Sequence, residues 1–122
     1  MPLRALLHKF ISLLRIELEE LEQDIRDLLE LWQRRKDSHE ITNYVYLENK
    51  GLLLNEVSCV KELLDSIASV DTSRYDSVDQ MIFDVDAMIA KRIRDCAFPE
   101  VLHSLVKRRL EKIRQYMGSP LT

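Results

Sequence analysis

From Leu3 to Lys36 the chain contains no proline or glycine, and its apolar residues recur at helical spacing. Leu3, Leu7, Phe10, Leu14, Leu18, Leu21, Ile25, Leu28 and Trp32 are separated mostly by alternating steps of four and three. That spacing is a heptad seam, which keeps one stripe of a helix facing a partner. At about 1.5 Å per residue the segment is roughly 50 Å long, more than a small domain is wide. Any other helices must therefore lie along it.

The rest of the composition agrees. The 122 residues include two glycines and three prolines. An all-β chain needs many more turn residues, so the expected fold class is all-α. Apolar residues make up 46% and charged residues 32%, the balance of an ordinary globular chain rather than a disordered one. This length fits a single domain, here taken as residues 1–122. No window approaches 18 uncharged apolar residues, so no membrane span is expected. The start of the chain lacks the uncharged run and small-residue cleavage site of a signal peptide. Cys59 and Cys96 have neither CxxC nor metal-type spacing, which suits buried free thiols in a reducing compartment. The expected location is the cytoplasm.

A polar run, Gln33 to Glu40, follows the first seam. Continued through it, the seam predicts inward positions near residues 39, 46 and 53. The next apolar stripe is instead Ile41, Val45, Leu52, Cys59, Leu63, Ile67 and Val70. The phase has slipped, so the chain is expected to turn there, with Asp37 or Ser38 capping a second helix over about 38–70. Within that helix Gly51 costs about 1 kcal/mol against alanine, a cost that close approach of another backbone would offset. Asp71 to Ser77 reads as a loop, and Ser77 with Gln80 as a capping box. Val78, Ile82, Val85, Ile89, Ile93 and Cys96 form a third seam over about 78–97. Val101, Leu102, Leu105, Val106, Leu110, Ile113 and Met117 form a fourth, over about 99–117, ended by Gly118.

Phe98-Pro99 lies between these last two seams. Continuing the third seam through it places residues near 106, 110, 113 and 117 inward, and all are apolar. The expected architecture is an antiparallel bundle of three long rods, the third kinked at Phe98-Pro99. The alternative is a four-helix bundle in which Pro99 opens a new helix.

Charge is distributed unevenly. Seven acidic residues and one basic residue lie between Glu17 and Glu30, whereas eight basic and three acidic residues lie between Lys91 and Arg114. Acidic and basic faces are expected to meet within or between bundles. The basic set, including Lys91, Arg94, Lys107, Arg108, Lys112 and Arg114, is also the candidate surface for a polyanion such as nucleic acid.

Chemistry-bearing patterns are sparse. Glu100-x-x-His103 has the spacing of carboxylate-bridged di-metal bundles, but the chain holds no second Glu-x-x-His to complete a site. Asp84 and Asp86 lie on divergent faces of a helix. There is no glycine-rich phosphate loop, and the three histidines, His8, His39 and His103, are scattered over the chain with nothing local that assembles a nucleophilic site. No catalytic, metal-binding or cofactor residues are assigned. Trp32, Tyr44 and Tyr46 cluster at the turn, where Trp32 and Tyr44 are expected to plug the bundle's end, or Trp32, Tyr44 and Tyr46 to bind a partner. Leu6, Leu13 and Ile16 broaden the first seam and are the candidate face for a homodimer. The sequence thus points to a non-catalytic bundle acting through protein–protein interaction as a homodimer, with a nucleic-acid or polyanion-binding regulator as the alternative.

Overall fold

The computed structural model describes residues 2–96 and 100–118, with the backbone alone at 100 and 101. Helix α1 (Leu3–Asp37) is the expected long rod, burying Leu7, Phe10, Leu14, Leu18, Leu21 and Ile25. Its end has a local cause. His39 adopts a left-handed φ of 62°, and the N–H groups of Glu40 and His39 return to the carbonyls of Arg35 and Lys36 at 2.9 and 3.0 Å. This is a Schellman closure, with histidine at the position glycine usually fills.

Helix α2 (Asn43–Ala68) begins later than expected. Thr42, rather than Asp37 or Ser38, is its cap, Oγ1 accepting a hydrogen bond from the Val45 N–H at 3.2 Å. The chain passes through a 3-10 turn (Thr72–Arg74) into α3 (Val78–Asp95), where Ser77 Oγ accepts from the Gln80 N–H at 3.1 Å as expected. Helix α4 (Glu100–Gly118) completes the fold.

Of the two architectures expected, the four-helix bundle is observed. The start of α3 and the end of α4 share one cleft, lined by Val78, Ile82 and Met117, so the two helices are antiparallel. Phe98-Pro99 itself falls outside the described residues. Seam phase could not separate kink from reversal, because a helix folded back also needs an apolar inward stripe. Around the bundle the order is α1, α2, α3, α4, with α4 packed against the flank of α1 that α2 leaves open. The core joins Phe10, Leu14 and Leu18 to Val60, Leu63, Met81, Val85, Leu102 and Val106.

Nothing lies within 4 Å of the place a Gly51 side chain would occupy, so no close approach within the chain offsets its helix cost. Gly51→Ala is therefore expected to raise the unfolding free energy by about 1 kcal/mol. Urea titration followed by circular dichroism checks this, and a loss of stability would contradict the open surroundings.

Candidate interaction surface

The four helices differ in length, and that difference creates the most distinctive surface. Helix α3 ends beside the middle of α2, where Cys96 Sγ donates to Glu62 Oε2 at 3.1 Å next to Cys59. On the other side α4 lies antiparallel to α1, with Tyr116 beside Lys9 and Arg109 beside Glu17 and Asp24. The far end of the α1–α2 hairpin, approximately residues 28–56, extends beyond both as a two-helix arm.

Among the described residues no third or fourth helix covers the heptad seams where they run on into this arm. Leu7, Leu14 and Leu21 are buried, but Leu28, the next member of that series, is 41% exposed. Cys59 is fully buried, but Leu52, one heptad earlier, is 59% exposed. The expected inward stripe of α2 thus fails at Leu52 because α3 stops short of it. A second apolar stripe, Tyr44, Leu47 and Leu54, lines the outer side of α2, with Gly51 at the same helical spacing. Contiguous exposed apolar surface of this kind marks interaction sites.

At the turn the aromatic roles are exchanged relative to expectation. Tyr44 is 72% exposed and plugs nothing. Tyr46 is the buried one, its hydroxyl donating to Gln33 Oε1 at 2.5 Å and its ring lying under Lys36 Nζ at 4.6 Å. Trp32 is half-buried, with Arg35 over its ring. Positions 44 and 46 are two apart on a helix, so only one of them can face α1.

The candidate homodimer residues do not form one open face. Leu6 and Leu13 are half-buried against the core, because α4 takes that flank of α1, while Ile16 is exposed. The basic residues also divide. Arg109 donates to the Glu17 backbone carbonyl and to Glu17 Oε2 at 3.1 and 2.8 Å, and to Asp24 Oδ2 at 3.1 Å. Lys112 Nζ donates to Glu17 Oε1 at 2.8 Å. The hydrogen bond from Lys112 is the main cause holding the Glu17 carboxyl below the usual carboxylate range; burial opposes it and Arg109 adds to it. Acidic α1 and basic α4 therefore meet within the bundle, as charge distribution suggested.

Lys107, Arg108 and Arg114 instead line an open groove of about 610 Å³ between α3 and α4, opposite Asp79 and Asp86. Lys91 and Arg94 are exposed near the end of α3. The candidate polyanion residues thus occupy several faces rather than one stripe. Cys59 and Cys96 are free thiols; burial pushes both upward in pKa, so both are protonated near neutral pH and poorly nucleophilic.

Among the described residues no group of three or more His, Cys, Asp or Glu is placed to hold a metal. His103 is half-buried, and the Glu100 side chain lies outside the described residues. No helix among them is long and apolar enough to cross a membrane. These features define an all-α bundle with one closed four-helix end and one open two-helix end. No protein family, curated protein or solved structure matches the chain.

Proposed function

We propose that this is a non-catalytic helical-bundle protein that acts by binding another protein, with the two-helix arm as its binding element. The observation that carries this reading is the emergence of Leu28, Tyr44, Leu47, Leu52 and Leu54 into solvent on the arm. Buried, each of these side chains is worth about 1.5–3 kcal/mol relative to exposure, which is the driving force for a partner to cover them. Gly51 adds support. It lies with Tyr44, Leu47 and Leu54 on a stripe where a side chain would meet nothing in the chain itself, as suits a helix that another backbone approaches closely.

The test is affinity capture from the source cell with the intact chain and with Leu47→Glu/Leu54→Glu, both exposed positions. Proteins bound by the parent chain should be lost from the variant, which should keep its helicity. Identical sets of bound proteins would refute the reading.

A polyanion-binding regulator using the basic C-terminal half is the second reading. It draws on the exposure of Lys107, Arg108 and Arg114 beside the exposed ring of Phe83 in the α3–α4 groove. Asp79 and Asp86 across that groove, and the engagement of Lys112 by Glu17, count against it.

A further inference from the structure

We infer that Cys59 and Cys96 are a reversible disulfide-forming pair, a modification site that clasps the end of α3 to the middle of α2 at the base of the arm. This goes beyond the binding role proposed for the arm and does not depend on it.

Placement carries the inference. The chain has two cysteines, and the fold sets them side by side. Cys96 caps α3, its N–H returning to the carbonyl of Arg92 at 3.0 Å, so its backbone is held. Its Sγ donates to Glu62 Oε2 of α2 at 3.1 Å. Cys59 lies three residues before Glu62, on the same face of that helix. Cys96 packs against the buried cluster that contains Cys59, and the two thiols are close enough to interact directly. Both are free, so the pair is in its reduced form.

The pair is asymmetric. Cys59 is fully buried, whereas Cys96 is partly exposed. A small oxidant such as hydrogen peroxide therefore reaches Cys96 first. The Cys96 proton leaves to solvent by way of Glu62, and the sulfur attacks one peroxide oxygen. The O–O bond breaks, and the departing hydroxide takes up a proton to leave as water. Cys96 is then a sulfenic acid. The Cys59 sulfur attacks it, the S–S bond forms, and the sulfenic hydroxyl departs with the Cys59 proton as a second water. The two thiols have lost two electrons and the peroxide has gained them. Excess thiol reverses the step by exchange. Burial keeps both thiols protonated near neutral pH, so the reaction is slow and the resting state is the dithiol. In a reducing compartment such a bridge forms only under oxidation.

The structural consequence is local. Cys59 stands one heptad from Leu52, where the cover over the α2 seam ends. A bridge fixes the end of α3 at that boundary. It also closes a loop of about 38 residues, which restricts the unfolded chain. The oxidised protein should therefore melt about 8–15 °C above the reduced one.

The test treats the folded full chain with hydrogen peroxide, alkylates remaining thiols in denaturant, and maps the peptides. A cross-linked Cys59–Cys96 peptide is expected, with the intact mass lower by two hydrogen atoms and a single chain on a non-reducing gel. Dithiothreitol should restore both thiols and the lower melting midpoint. Cys59→Ala should leave Cys96 as a sulfenic acid that dimedone labels, whereas Cys96→Ala should leave Cys59 unlabelled in the folded chain. Parent thiols that both remain alkylatable after prolonged peroxide would overturn the inference. So would a parent chain that cross-links only between molecules. A bridge that lowers the melting midpoint would do the same, since the native separation of the two cysteines would not suit it.

Discussion

Phe10→Ala is expected to lower the melting temperature by about 12–20 °C. Phe10 is fully buried in the closed half, among the largest side chains there. Removing a buried phenylalanine costs about 3–5 kcal/mol, the lost transfer energy plus the cavity left behind. In a chain of this size each kcal/mol moves the midpoint by about 4 °C. That loss is a large share of the roughly 5–15 kcal/mol that holds a typical domain together. Phe83→Ala is the matched control. Its ring is 74% exposed, so its removal should change stability by no more than about 0.5 kcal/mol. Thermal melts of the two variants side by side are decisive, and equal shifts would mean that the α1 seam does not face the core.

Glu17→Gln is expected to destabilise the protein by about 2 kcal/mol at neutral pH, and by much less in acid. The carboxylate sits between Arg109 and Lys112 with its side chain largely buried, and the variant leaves the similarly enclosed Arg109 guanidinium short of its partner. Charge-assisted hydrogen bonds of this kind are worth about 1.5–3 kcal/mol each before solvent screening reduces them. The folded protein holds the Glu17 carboxyl below its ordinary value, led by the Lys112 hydrogen bond. A carboxyl depressed on folding contributes stability that is fully present above its unfolded pKa, about 4.3, and fades as pH falls through the folded value. The gap between parent and variant should thus be constant from about pH 6 to 8 and close below about pH 4. Urea titrations at pH 7 and pH 3 measure it. A gap of the same size at both would show that the carboxylate's charge is not what the site uses.

The parts of this fold visible in the sequence were those written in periodicity. The α1 seam from Leu7 to Ile25, the α3 seam and the Ser77 cap all lie where spacing placed them, while Leu3 and Leu28 at the ends of the α1 seam are exposed. The parts that were not visible depend on what lies opposite. Leu52 keeps its heptad phase with Cys59, and only the end point of α3 decides that one is exposed and the other buried. Nor does spacing separate Tyr44 from Tyr46 until the start of α2 is fixed, and that start was obscured by the ending of α1. A helix closed by a left-handed histidine carries no glycine to announce it. The arm was hidden for the same reason. It is a property of unequal helix lengths, and its residues are ordinary seam residues that lack a covering helix.

The position of α4 against α1 also has a consequence for the order in which the chain is made. Glu17 and Arg109 meet across a separation of 92 residues. At about 5–20 residues per second, α1 waits on the order of 5–18 s after leaving the ribosome before α4 exists to cover its flank. During that interval Leu6 and Leu13, half-buried at the end, have no α4 to cover them, and the acidic run from Glu17 to Glu30 has not yet met its basic counterpart. Like negative charge on neighbouring growing chains opposes their association while that apolar flank is bare. The same carboxylates that later fasten the last helix thus serve first as the solubilising face of an unfinished protein.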